Sequence, residues 1–498
     1  MKKIFPFMLC LLLFAGWYSA TAQPYHEDDK TALRAFLRQP SATPGMTNAD
    51  KFGVDTTNWT FPTNENWITQ VIGLTWGEIT PKRLTEISWV ELGFALAGSL
   101  DLSGCSALEY LECGGHQLTA LNVSNNSELT ELLCSNNQLT ALNVSNNTKL
   151  ERLSCGGNQL TVLDVSKNTE LEYLECSENQ LTALNVSNNT ELTDLRCSKN
   201  QLTVLDVSNN PELYYLECEE NYLTALNVFS ENSALQYLYC AYNRLTVLDV
   251  TTNDFLMKLD CSNNRLTTLD VSNNTAYLEE LKCGGNRLTT LDVSNSTGAL
   301  KLHCEYNHLT ALNLNNILAL SRLYCYGNAI SLADLKAASD KGASGDMFLG
   351  TQILAAETAI LGNEVTVDDV FNGVNTNFDV RKNGSDASGT DYNNLGNGKF
   401  KFLTAGAYTV DITNDDIISG SGYPATVVAT YLASVNGNSL YHPSDKAALR
   451  AFLRQPSATT GKTNAEVLGV TDTTNWTTNE SWIAQVTNLF WNEETPKR

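Results

Sequence analysis

The sequence is short of positive charge, histidine, proline and methionine. Its 32 lysines and arginines face 55 acids, giving a formal net charge of −23 and a sequence pI near 4.6. Such an acidic surface repels phosphate backbones, so nucleic acid and bare anionic membrane are poor partners and none is expected. The five histidines include none at metal-ligand spacing with cysteines facing the same way, so no metal site is expected. No phosphate-cradling glycine loop, G-x-S-x-G elbow or nucleophile–base pair is present. No catalytic residue and no cofactor are therefore assigned, and the chain reads as a non-enzyme. Past the amino-terminal leader, no window holds the roughly 18 apolar residues of a membrane-spanning helix, so membrane insertion is not expected.

What is present is a phrase. Between Leu108 and Leu332 a 21-residue unit recurs eleven times, most cleanly from Leu171 as LEYLECSENQLTALNVSNNTE. Each copy carries one cysteine: Cys113, Cys134, Cys155, Cys176, Cys197, Cys218, Cys240, Cys261, Cys283, Cys304 and Cys325. Eight of the ten intervals are 21 residues and two are 22. A fixed period of this length specifies a solenoid, each coil burying its apolar edge on its neighbours. Leu174 and Cys176 alternate with Tyr173 and Glu175, the period of a short strand with one buried face. Asn179 stands at a position occupied by asparagine in ten of the eleven copies and by His116 in the first. Its amide is suited to bond backbone groups where the chain leaves the strand. The second half buries Leu184 and Val186, turns through Ser187, Asn188 and Asn189, and is too short for a return helix.

The cysteines occupy an apolar slot, and an odd number cannot all pair. Adjacent coils place them about 4.8 Å apart, within disulfide reach, but bridging alternate pairs would force two spacings on equivalent coils. The expectation is a ladder of reduced, buried thiols acting as small hydrophobes.

The L-x-x-L-x-C-x-x-N-x-L-T-x-L-x-V-S phrase resembles bacterial leucine-rich repeat proteins of the internalin J type, whose repeats carry a cysteine ladder, and arrays frequent in secreted proteins of Bacteroidetes. That resemblance implies a β-rich solenoid with a parallel-sheet horseshoe or rod, displayed at the cell surface for binding. The region before it resembles the N-terminal cap of plant-type leucine-rich repeat proteins. The shared features are the AL-x-x-F-L helix at Ala32 to Leu37, Trp59, Trp67 and Trp76, and the L-x-G-x-L passage at Leu96 to Leu100; the paired cysteines of that cap are missing.

Residues 1–22 read as a secretion signal: Lys2 and Lys3, the apolar Ile4 to Phe14, then Ala20-Thr21-Ala22 before Gln23. Residues 23–107 read as the N-terminal cap, with Asp28-Asp29 capping a helix that Pro40 ends. Residues 108–351 are the solenoid, closed by a helix behind the Ser331-x-x-Asp334 capping box and a strand at Met347 to Leu349. Residues 352–435 alternate apolar and polar positions at Glu364–Val367, Asn377–Val380, Lys399–Phe402, Tyr408–Ile412 and Thr426–Tyr431, the mark of a β-sandwich. The run from Gly398 to Val410 resembles Ig-like modules, and Asp415-Asp416 is read as two solvated acids in a turn. After a linker at 436–444, DKAALRAFLRQPSA at Asp445 repeats DKTALRAFLRQPSA at Asp29. Residues 445–498 are thus a second, truncated cap copy, and the sequence reads as a fragment of a longer tandem protein.

Function, on this reading, lies in the letters the phrase leaves free. The residues flanking each cysteine in the strand should face the concave surface, and there the copies diverge. There Tyr215, Glu217, Tyr237, Tyr239 and Tyr242, and further on Arg322, Tyr324 and Tyr326, are the candidate ligand-binding residues. Tyrosine and arginine bring large area with few rotors and directed donors. The position after the ladder asparagine also drifts, from Gln138, Gln159, Gln180 and Gln201 through Tyr222 to Arg244, Arg265 and Arg287. The expected function is an exported, adhesin-like binding protein of the cell surface or medium that recognises a protein or glycan. The alternative is a structural spacer.

Overall fold

The computed structural model describes residues 25–434 except 55, 57–66, 80, 91, 229–233, 275, 295–298, 315–316, 318, 342–345, 355, 368–375, 397 and 419–423. The secretion signal, Trp59 and the second cap copy lie outside the described residues. The chain divides into two compact units at Leu171 and Glu172, each taken by itself.

The first unit opens with helix α1 (Glu27–Leu37), which presents Leu33, Phe36 and Leu37 to the core. Its cap is not the expected aspartate pair. His26 is the N-cap, its Nδ1 accepting the Asp28 N–H at 3.3 Å. Asp29 is instead buried one turn in, where it takes two guanidinium bonds from Arg83 (2.9 and 3.0 Å) and the Leu84 N–H at 2.8 Å. A short helix α2 (Asn48–Phe52) follows behind a Thr47–Asp50 capping box. Leu74–Trp76 then pairs antiparallel with Leu84–Ser88, and Tyr110–Glu112, Glu131–Leu133 and Arg152–Ser154 continue the sheet in parallel.

Trp89, not one of the spaced tryptophans read from the sequence, is the largest fully buried side chain of this unit. It stands in the slot that cysteine fills in later coils and stacks on Phe36 at 5.4 Å. Trp67 is buried too, under the Arg34 guanidinium at 5.5 Å, so these rings serve as core.

In the second unit nine parallel strands run from Tyr173–Glu175 to Asp346–Phe348. Their central residues fall in one register: Leu174, Leu195, Leu216, Leu238, Leu259, Leu281, Leu302, Leu323 and Met347. Burying a leucine is worth roughly 1.5–3 kcal/mol, and every coil repeats that gain at several positions. The twelve described cysteines are all buried free thiols. Burial pushes up the pKa values of Cys105, Cys113, Cys197, Cys218, Cys240, Cys261, Cys283, Cys304 and Cys325, to about 12 at Cys325.

Two amide ladders hold the coils together. On the strand side, Asn221 Nδ2 donates to the Cys197, Cys218 and Glu219 carbonyls (3.0, 3.2 and 3.2 Å) while its Oδ1 accepts the Leu202 N–H at 3.0 Å. The same pattern recurs at Asn200, Asn243, Asn264, Asn286, Asn307 and Asn328. His116 stands in for it in the first coil, its Nδ1 taking the Leu96 N–H at 3.5 Å; burial lowers its pKa against the pull of the Trp89 carbonyl.

The second ladder runs through residues whose composition is that of a turn. The second asparagine of each Ser-Asn-Asn step is buried and reaches back a coil: Asn147 Nδ2 donates to the Val123 and Asn126 carbonyls at 3.0 and 2.8 Å. Asn274 does the same to Val250 and Asn253 at 2.9 and 2.7 Å.

The repeat closes as its sequence implies. Helix α3 (Leu332–Lys341) starts behind Ser331, whose hydroxyl accepts the Asp334 N–H at 3.2 Å, and Asp346–Phe348 adds the last parallel strand. Thr351–Ile353 lies astride the expected boundary at 351/352. Its buried Gln352 acts as one more ladder amide, donating to the Cys325 and Leu349 carbonyls (3.0 and 2.8 Å) and accepting the Ile330 N–H at 3.2 Å. The same strand pairs in parallel with Pro424–Ser434 of the following sheet.

All five segments expected to be strands beyond residue 351 are strands, and Thr351–Ile353, Glu357–Ile360, Ser385–Asp386 and Tyr392–Gly396 add to them. They form a six-stranded and a three-stranded sheet. Phe402 of one sheet stacks on Tyr408 of the other at 4.3 Å and packs on Tyr431 at 5.5 Å. Asp415 and Asp416 lie within the strand Gly406–Ile418, not in a turn.

Candidate functional site

Because successive strand residues point to opposite faces, the residues either side of each buried leucine stand on the sheet's outer face. On the second unit that face gathers most of the tyrosines singled out above. Tyr215 lies 5.9 Å from Tyr237 and 5.6 Å from Tyr239, with Tyr214 6.4 Å from both Tyr215 and Tyr237. Glu217 joins them, accepting the Tyr215 hydroxyl at 3.2 Å.

The organiser of this group was not among the candidates. The Arg196 guanidinium sits over Tyr215 at 4.7 Å and over Tyr173 at 5.6 Å. It is held there by two bonds to the buried Asp194 at 3.0 and 2.9 Å. These bonds raise the already high pKa of Arg196. Burial and the Glu217 charge raise that of Tyr215. A cation over an aromatic face contributes about 0.5–2 kcal/mol, depending on desolvation. The offset needed to find Arg196 was in the sequence: Tyr173, Asp194 and Tyr215 recur at intervals of one repeat, so they stack in neighbouring strands.

A second aromatic group stands at the far strands. His303 stacks on Tyr324 at 4.4 Å, Tyr324 on Phe348 at 4.4 Å, and Tyr326 meets Tyr306 edge-on at 5.1 Å. Phe348 belongs to the closing strand, outside the repeat phrase, and no departure from the phrase marks its part in this row. Arg322 holds the register of Lys301 and Asp346 beside it. Between the groups run charged strands, where Lys282 lies 3.6 Å from both Asp260 and Glu280. Glu219 is half-buried among them; burial first, then Asp260 and Glu217, push its pKa up to about 7. Burial and Lys282 lower that of His303.

Tyr242 does not join either group. It occupies the second position after the cysteine, where every coil takes a left-handed backbone: Glu178, Lys199, Glu220, Tyr242, Asn263 and Tyr306 at φ between 52° and 54°, Gly285 at 67° and Gly327 at 70°. Tyr242 and Tyr306 are 60% and 63% exposed there. A bulky side chain in this region is strained by about 1–2 kcal/mol, and exposure at these two positions leaves little burial to offset it.

The strand register, the cysteine slot and the asparagine bonds together decide the architecture. The array is a leucine-rich repeat solenoid with a cysteine ladder. Its sequence and fold are similar to the functional domain of internalin J from Listeria monocytogenes, described as including a cysteine ladder. Identity there is 28% over 68% of this chain and 90% of that one, with a TM-score of 0.42. Internalin F of the same organism is 20% identical over 66% and 99% of the two chains, with a TM-score of 0.43. The Arabidopsis receptor kinase HAESA, solved with the peptide hormone IDA and the co-receptor SERK1, is 19% identical over 61% and 54%, with a TM-score of 0.47. No protein-family model matches the sequence, and no curated protein does. Among the described residues there is no group of three or more histidines, cysteines or acids that could hold a metal, and no helix long and apolar enough to cross a membrane.

Proposed function

We propose that the chain is an exported binding protein of the cell surface or medium, and that it grips a protein partner on the outer, concave face of its solenoid sheet. The observation that carries this reading is the half-exposed row Tyr215, Tyr237 and Tyr239, fixed by the Asp194–Arg196 clamp. Rigid aromatic rings beside a pre-oriented guanidinium are the anchors of protein interfaces, because little rotamer entropy is left to lose on binding. The mixed charges between the two aromatic groups supply a polar rim. On the same reading the leader directs export, residues 352–435 form an Ig-like module and residues 445–498 a second cap, and the chain performs no catalysis.

The test is the triple variant Tyr215→Ala, Tyr237→Ala and Tyr239→Ala, assayed for binding to candidate host and bacterial surfaces. Loss of tenfold or more in affinity with an unchanged circular dichroism spectrum is expected. Unchanged binding by the folded variant would remove the patch and leave the solenoid a spacer.

A further inference from the structure

A second surface lies on the rim where each coil leaves the sheet. The residue after the ladder asparagine is held in register from coil to coil: Tyr222, Arg244, Arg265, Arg287 and His308 each donate a backbone N–H to a leucine carbonyl of the preceding coil at 2.8–2.9 Å. Parallel chains so paired lie about 4.8 Å apart, so the three arginines spring from adjacent coils in one row of like charges. Arg244 and Arg287 are exposed and Arg265 is partly so. Among the described residues none of the three makes an ion pair, although the chain carries 55 acids. The aspartates that follow the row in each coil are bonded to backbone: Asp249, Asp270 and Asp292 accept the Thr251, Ser272 and Ser294 N–H groups at 2.9–3.0 Å. Neighbouring like charges repel one another, and no acid among the described residues is paired with these three.

The surroundings indicate what would relieve it. Beside the arginines run the exposed Thr246, Thr267 and Thr289, with Val247 the one apolar side chain at their flank. At one end the Arg244 guanidinium lies over the Tyr222 ring at 4.4 Å, leaving that ring 45% exposed. Hydroxyls, one open ring and evenly repeated cations offer no apolar core for a folded protein to bury. They do match a hydroxylated polymer bearing an anion at a regular interval.

We propose that the row Tyr222, Arg244, Arg265, Arg287 and His308 binds an acidic polysaccharide, its carboxylates or sulfates on the arginines and a sugar ring against Tyr222. The site is separate from the tyrosine face, and either can fail without the other. The net charge of the chain repels any polyanion at long range, so binding is local and strongly salt-dependent.

The test uses the full chain and its variant Arg244→Gln, Arg265→Gln and Arg287→Gln; glutamine is the residue of this position at Gln138, Gln159, Gln180 and Gln201, so the coil accepts it. Binding is measured to polygalacturonate, chondroitin sulfate, poly-glutamate and dextran at low and moderate salt. The proposal expects binding to one or both acidic glycans, weakened tenfold or more by salt and by the variant, with none to dextran. Preference for polygalacturonate or for chondroitin sulfate assigns the anion as carboxylate or sulfate. The proposal is overturned if neither glycan binds, if the variant binds as well as the parent, or if poly-glutamate binds as tightly as either glycan.

Discussion

Asn137 and Asn147 belong to one coil and lose the same atoms on mutation to alanine, yet the two variants should differ. Asn137 gives the Leu118 N–H its acceptor at 2.9 Å and the Cys113 carbonyl a donor at 2.9 Å. The Cys134 carbonyl it also serves keeps the Asn158 amide at 3.1 Å. Asn137→Ala therefore strands two buried groups, each worth about 1–3 kcal/mol, for a loss of about 4 kcal/mol. Asn147 serves the Val123 and Asn126 carbonyls, but these retain the Asn126 and Leu129 N–H groups at 3.1 and 3.2 Å. Asn147→Ala gives up two bonds and strands nothing, for a loss of about 2 kcal/mol or less at about 1 kcal/mol per bond. Urea unfolding followed by circular dichroism measures both, and the shared coil keeps the cooperative unit the same. Equal losses, or a larger one at Asn147, would refute the argument that stranded groups dominate over bonds lost.

Three further outcomes are expected. Iodoacetamide at pH 8 should leave the buried thiols unmodified in the native protein and alkylate them after unfolding without reductant; predominant disulfides in the mass spectrum would contradict the free-thiol ladder. Glu219 binds its proton more tightly folded than unfolded, its pKa standing at about 7 against the 4.5 of an ordinary glutamate. Its contribution is therefore fully present below about pH 4.5 and lost as pH rises through about 7, so Glu219→Gln should raise the melting temperature at pH 8 and leave it unchanged at pH 4. Tyr242→Gly relieves the left-handed strain but loosens the unfolded chain, for a net gain of about 0.5–1 kcal/mol; a variant destabilised by more than that would show that the ring packs in the free protein.

The fold was legible because its letters repeat: leucine, cysteine and asparagine recur at one spacing, and each repetition tests the last. What escaped the reading lacked that independent signature. The second asparagine ladder has the composition of a turn, and nothing local distinguishes Asn188, at the surface, from Asn189, buried in the stack. Trp89 was hidden because it is a cysteine-slot residue before the cysteines begin. The left-handed position after each cysteine could not be read from Glu178, Lys199 and Tyr242, residues that do not favour it; only the coil geometry imposes it. At the candidate face, the tyrosines were visible as departures from the phrase. Arg196 was not, because its role depends on Tyr173 and Tyr215 one strand to either side.

Gln352 has a mechanical consequence. The strand Thr351–Ile353 completes the last amide bonds of the solenoid and is zipped to Pro424–Ser434 in the next sheet. Tension applied beyond residue 434 would therefore enter the coil stack through paired strands and a buried side chain. Such a joint transmits torque as well as pull. The sheet of the following module would set the direction in which the tyrosine face looks, much as a keyed shaft fixes the angle of the blade it carries.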